Sequence, residues 1–205
     1  MTLRIVLAAA AFATLFPTTV LAQPAPMGIL KPAPKEELVR VALDTDRGRI
    51  VLALDKGRAP LTTANFLAYV DRHWFDGQSF YRAFQYGNGG IIQGGVSDGA
   101  KQLPPVAHEP TTQTGIANKA WTVAMANRGP GTAHSDFFIM TTDIPAFDAK
   151  GADIGFAAFG HVVAGQDVVK AILAAPVSPE KGEGSMKGQM LEPAVKILHA
   201  ERVPG

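Results

Sequence analysis

Arg82 and Gln93 stand eleven residues apart in the stretch FYRAFQYGNGGIIQGG, Phe80 to Gly95. A guanidinium is protonated at any physiological pH and can donate hydrogen bonds without a proton-transfer step. Period-two alternation places Arg82 on one face with Phe80 and Phe84, an odd place for a charge unless it has a partner, and Gln93 is a neutral candidate for holding it. The second stretch with unexplained polarity is VAMANRGPGTAHSDFFIM, Val123 to Met140. If its end is a strand, Asp136, Phe138 and Met140 share one face, expected to be a pocket wall. Phe137 and Ile139 share the other face, expected to enter a core.

Other chemistries fail on spacing. A dinucleotide fingerprint starting at Gly87 finds Gly89 but needs a glycine where Ile92 stands, and no lysine followed by Ser or Thr closes a P-loop. His108-Glu109 lacks the second histidine of a zinc protease. His134-Ser135-Asp136 looks like a compressed triad, yet neighbours on an extended chain point to opposite faces, and no G-x-S-x-G turn is present. The five histidines therefore read as surface or turn residues, with no metal ligand set and no cofactor expected.

The elements that must position these residues follow from pattern. The chain has 205 residues and is 47% apolar, enough for one domain with a real core. Lys and Arg number 19 against 18 Asp and Glu, interspersed, so neither nucleic acid nor an anionic membrane is expected as a partner. The absence of cysteine excludes disulfides, thiolate zinc sites and cysteine nucleophiles.

Arg4, the apolar run Ile5 to Phe16 and Val20-Leu21-Ala22 have the layout of a secretory signal peptide over residues 1–22, cleaved after Ala22. The run falls short of the roughly 20 apolar residues needed to span a bilayer. Export follows as an expectation, to a periplasm foremost, with no membrane attachment after cleavage. QPAPMGILKPAP begins a Pro-rich leader over 23–36.

A single domain over 37–203 is expected to start with a β-hairpin: Val39, Val41 and Leu43, then Ile50, Leu52 and Leu54, about a turn at Asp46-Arg47-Gly48. APLTTANFLAYVDRHWF reads as a helix, with Pro60 in its first turn, capping hydroxyls on Thr62 and Thr63, and an apolar stripe of Phe66, Leu67, Val70 and Trp74. Short apolar runs at Trp121–Ala126, Phe137–Thr141 and Phe156–Val163 read as strands, Gly165–Leu173 as a second helix and Ala194–Ala200 as a last strand. Many short strands with two isolated helices argue for an antiparallel barrel or sandwich whose open ends the helices cover.

FYR followed by QGG, then AMANRGPGTAHSDFFI, then FAAFGHVVAGQDVVKAI resembles the cyclophilin family of peptidyl-prolyl isomerases, in block order from about 38 to 200. APLTTANFLAYV and FDGQSFYR fit the same pattern, and a leading signal peptide is similar to exported bacterial members. The resemblance implies a closed eight-stranded antiparallel β-barrel with a helix at each end. It implies Arg82 as the catalytic arginine, with Gln93, Ile91, Ala126, Asn127, Asp136, Phe138, Phe147 and Phe156 around the substrate. The backbone of Ala126-Asn127 would hold a peptide. Phe138 would floor the proline pocket, Ile91 would replace a methionine and Phe156 a histidine.

Four features depart from that pattern. The Arg82–Gln93 interval is about three residues longer than the family's, so Gly87–Gly90 reads as an enlarged connection. Gly90 stands where a pocket phenylalanine is expected, leaving Phe84 or Tyr86 to fold back and supply a ring. Asp136 replaces a glutamine, and a carboxylate near Arg82 would orient it while partly neutralising it. Ala146 stands at the tryptophan position, so cyclosporin binding is expected to be weak. The activity implied is rotation of Xaa-Pro bonds in exported, proline-containing client polypeptides. The alternative is a catalytically weak module of the same fold that holds proline-containing segments.

Overall fold

The computed structural model describes residues 35–205. The expected signal peptide, and the leader up to residue 34, lie outside the described residues. In chain order the elements are β1 (Leu38–Thr45), β2 (Gly48–Asp55), α1 (Pro60–Asp71), β3 (Ser79–Tyr86), β4 (Gly89–Gly95), α2 (Thr111–Thr114), β5 (Thr122–Met125), β6 (Phe137–Met140), β7 (Ala158–Ala164), α3 (Gln166–Leu173), β8 (Val177–Ser178) and β9 (Met190–Val203).

The strands hydrogen-bond in the order β1-β2-β7-β5-β6-β4-β3-β9, and β9 returns to pair with β1, closing an eight-stranded antiparallel barrel. The two-residue β8 is an outlying addition on β9. Closure removes the unpaired edges that would otherwise template aggregation.

Alternation sorts the side chains into two apolar clusters. Val41, Leu43, Ile50, Leu52, Leu54, Phe80, Ile92, Val123, Phe137, Ile139 and Phe159 fill the barrel together with Phe66 of α1 and Val169 and Ile172 of α3. The Phe66 ring lies 4.9, 5.1 and 5.4 Å from Phe75, Phe137 and Phe159, so the aromatic face of α1 plugs one opening of the barrel. Burying one such ring contributes about 2–3 kcal/mol. Ile91, Ala124, Phe138, Met140 and Ala158, from the opposite faces of β4, β5, β6 and β7, form a second cluster with Ile144 of the segment after β6. The expected division of β6 is thus observed, and the second cluster lies on the outer wall of the barrel.

Several local expectations change. A third, four-residue helix, α2, joins the two expected ones. No hydroxyl caps α1. The buried carboxylate of Glu109 does so from a distant loop, accepting from Leu61 N, Thr62 N and Thr62 Oγ1 at 3.2, 2.7 and 2.7 Å. A negative group there satisfies exposed backbone donors and complements the helix dipole. Trp74 lies beyond the helix end, where it packs on Tyr69.

The last strand begins at Met190, four residues ahead of its expected start at Ala194. The glycine run is not an enlarged connection. Tyr86 pairs with Gly89 and Arg82 with Gln93, so only Gly87 and Asn88 turn the chain. The extra residues lengthen the hairpin arms, and Gly87 takes the positive φ, 57°, that primed hairpin turns require.

Candidate active site

A bulge in β3 aims the key side chains. Phe80 pairs with Gly94 and Arg82 with Gln93, leaving Tyr81 without a partner on β4. The extra residue breaks the alternation, as β-bulges do. Phe80 therefore enters the core, while Tyr81 and Arg82 both line a cleft of about 860 Å³ on the outer wall. The expected common face of Phe80, Arg82 and Phe84 is corrected accordingly.

Arg82 is gripped by two amides. Its Nη1 donates to Gln93 Oε1 at 2.8 Å, and its Nε and Nη2 donate to Gln189 Oε1 at 2.8 and 2.6 Å. Gln189 comes into reach because Met190 of β9 pairs with Arg82 and because Ala83 N donates to Gln189 O at 2.9 Å. Its own amide nitrogen, Nε2, donates to Ser185 O at 2.7 Å. Among the described residues no carboxylate forms an ion pair with Arg82, so its charge is oriented without being cancelled. Burial lowers the arginine's pKa, with nearby Tyr81 opposing, but a guanidinium remains protonated across the physiological range.

Asp136 does not touch Arg82 directly. Its Oδ1 accepts the Tyr81 hydroxyl at 3.1 Å, and the Tyr81 oxygen accepts Gln93 Nε2 at 2.7 Å. The carboxylate thus reaches the guanidinium through two intervening side chains. Burial raises the pKa of Asp136, opposed by the Tyr81 hydrogen bond. Burial, and then the neighbouring Asp136 charge, raise that of Tyr81. Gly95 makes this arrangement possible: a Cβ there would meet Asp136 Oδ1 at 2.0 Å.

Phe138, Phe147 and Phe156 build an aromatic cup beside Arg82. Their centroids lie 4.8–5.5 Å apart with interplanar angles of 60–87°, the edge-to-face geometry that ring quadrupoles favour. Asn118 fixes the backbone that carries two of the rings, donating from Nδ2 to the main-chain Phe147 O at 2.9 Å and Phe156 O at 3.2 Å. The ring missing at Gly90 comes from Phe84, which lines the cleft with the Arg82 guanidinium 5.6 Å from its centroid. Tyr86 is 44% exposed and does not take that place. No side chain fits at Gly90 on this backbone, since a Cβ would lie 2.0 Å from Phe84 O.

Ile91, Ala126 and Asn127 complete the expected set, and all nine expected residues line one cleft. The Asn127 side chain ties its own loop to another, accepting from Gly129 N at 3.0 Å and donating to Gly155 O at 3.2 Å. Sequence reasoning missed Gln189, Tyr81, Arg128, His134 and Met186, which also belong to the cleft or its polar frame. Of these, Tyr81 was marked by adjacency to Arg82 inside a strand. The others carry no periodic signal.

A sequence model of the family described as "Cyclophilin type peptidyl-prolyl cis-trans isomerase/CLD" matches residues 39–202, and the chain belongs to that family. It is 37% identical over 167 residues to the peptidyl-prolyl cis-trans isomerase cyp18 of Streptomyces antibioticus, covering 77% of this chain and 98% of that one. It is 37% identical over 137 residues to peptidyl-prolyl cis-trans isomerase A of Dickeya dadantii, covering 64% and 70%. The fold is similar to the crystal structure of a Cryptosporidium parvum cyclophilin type peptidyl-prolyl cis-trans isomerase, with TM-score 0.66 and 20% identity over 82% of this chain and 99% of that one.

Proposed function

We propose that the chain is a peptidyl-prolyl cis-trans isomerase with Arg82 as its catalytic residue. The observation that carries this reading is a permanent charge held by two neutral amide oxygens at the rim of an aromatic cup. Rotation about Xaa-Pro meets a barrier of about 18–20 kcal/mol, set by amide resonance, and takes tens of seconds or more unaided. In the twisted state resonance is lost and the proline nitrogen becomes pyramidal with a lone pair. Arg82 can donate to that lone pair with no proton changing owner. Three of its five N–H groups are used by Gln93 and Gln189, which leaves two for a ligand.

Phe138, Phe147 and Phe156 would seat the proline ring in apolar surroundings, where the hydrogen bond strengthens as the amide twists. Only interactions stronger in the transition state than in the ground state accelerate the step. A gain of about 10⁵ needs about 7 kcal/mol.

The same reading takes residues 1–22 as a signal peptide, sending the domain to a periplasm to act on folding, proline-containing polypeptides. The motivating pattern is the single positive charge, the short apolar run and the compact residues Val20 and Ala22 at the −3 and −1 positions of the cleavage site. Mass measurement of the secreted chain starting at a residue other than Gln23 would revise the cleavage site. Retention of the full-length chain in the cytoplasm would refute export. Cyclosporin binding is expected to be weak because exposed Ala146 offers no ring, and titration showing tight binding would contradict that.

A binding-only module of the same fold is the second reading, and Ala146 is what favours it. The replacement of the missing ring by Phe84 and the unneutralised Arg82 both weigh toward catalysis. Exchange spectroscopy on a cis/trans Xaa-Pro peptide separates the two. Acceleration that Arg82→Ala loses, with its fold intact, is the expected result. Exchange by the native chain at the uncatalysed rate would sink the enzyme reading.

A further inference from the structure

Away from the cleft, the turn that follows α1 meets β9 through three side chains with metal-binding chemistry. His73, Asp76 and His199 each bring one ligand-capable atom within 4.8 Å of the other two. Asp76 Oδ1 accepts Ala200 N at 2.9 Å, which fixes the carboxylate and leaves Oδ2 facing both imidazoles. His199 Nδ1 lies 2.9 Å and His73 Nδ1 3.4 Å from that oxygen. The two rings are nearly parallel, at 14°, with centroids 5.5 Å apart, and both present Nδ1 to the same carboxylate oxygen.

We propose that His73, Asp76 and His199 form a binding site for a divalent transition-metal ion of the zinc class, which clamps β9 to the turn ending α1. Bonds of about 2.0–2.1 Å in a tetrahedron place ligand atoms about 3.3–3.4 Å apart. The separations from Asp76 Oδ2, 2.9 and 3.4 Å, lie close to that spacing, and the two imidazole nitrogens lie within 4.8 Å of each other, so side-chain rotations that close the remaining gap bring all three atoms onto one ion. Two imidazoles with one carboxylate suit zinc, copper or nickel and are a poor set for magnesium or calcium, which take oxygen ligands. The His73 side chain is 64% exposed, so solvent water can supply the fourth ligand.

The proton balance is simple. In the metal-free chain His199 Nδ1–H donates to Asp76. For an ion to bind, that proton leaves Nδ1 to solvent and opens the lone pair there, while Nε2 takes a proton from solvent, so the ligating ring is the neutral Nε2–H tautomer and a neutral ring releases no net proton. Glu201 Oε2 lies 3.8 Å from Nε2, so a small rotation would bring it to hydrogen-bond distance as an outer carboxylate that fixes the tautomer of the ligating ring. Sequence spacing hides this set, because His199 is 123 residues from Asp76.

The test is calorimetric titration of Zn²⁺ into the purified, tag-free chain at pH 7.5, with melting followed in parallel. One ion per chain and a rise in Tm are expected. His73→Asn suits the left-handed backbone of residue 73, φ 54°, because Asn tolerates that region. It should melt like the native chain in chelator and bind Zn²⁺ about tenfold or more weakly. His199→Gln should behave alike toward the ion. Absence of saturable binding to the native chain, or native-like affinity in both variants, would overturn the assignment.

Discussion

Gln189 is the residue whose substitution best separates orientation of the guanidinium from its charge. Removing it in Gln189→Ala frees Nε and Nη2 of Arg82, and kcat should fall by about tenfold as one charge-assisted hydrogen bond's worth of orientation is lost. Gln189→Glu keeps the geometry but pairs the cation, so kcat should fall with KM little changed. Steady-state exchange kinetics read both, and an unchanged kcat in the glutamate variant would show that neutral partners are not required.

Asp136 offers a second residue-level test. It acts on Arg82 only through Tyr81 and Gln93, so Asp136→Gln should raise kcat by less than about tenfold. Its pKa is raised by burial, so the charged form carries a folding penalty above its folded pKa, and that penalty is relieved as pH falls through it. Native kcat should therefore climb toward the variant's on the acid side, and parallel pH profiles would exclude the relay. Arg82, Gln93 and the phenylalanines were legible because their types are odd or periodic where they stand. Gln189 was not, since it sits in an aperiodic Gly- and Ser-rich segment 107 residues from Arg82 and is delivered by strand pairing alone.

At the scale of elements, α1 depends on a residue that no local signal ties to it. Glu109 is 1% exposed and accepts three donors from the first helical turn, so Glu109→Ala should cost about 2–3 kcal/mol in urea unfolding, with kcat nearly kept. A loss below about 0.5 kcal/mol would mean that the turn finds another partner. The strands and the two longer helices were readable from period-two and period-3.6 patterns. The glycine run was misread because Gly89 and Gly90 share the turn-like intrinsic preference that Gly87 realises. Their state is set instead by neighbours: Ile91 to Gly94 pair with β6, and that pairing carries the hairpin through residues that would not choose it alone. The bulge at Tyr81 escaped for the same reason, being a property of two strands at once.

For the whole molecule, the barrel is closed by its first strand against its last, with Arg40 opposite Val203 and Leu43 opposite Ala200. A ring built in this way brings the two ends of the domain side by side, and where the polypeptide begins along it is a matter of cutting, not of architecture. A circular permutant that joins the region of residue 37 to residue 205 with a short flexible linker, and opens the exposed turn at Asp46-Arg47, should fold to the same barrel. Its Arg82, Gln93 and Gln189 would be untouched, so peptide exchange within about twofold of the native chain is the expected outcome, and an inactive but folded permutant would contradict it. The adjoining ends also mean that this domain can be inserted whole into a surface loop of another protein, entering and leaving the host through a single doorway.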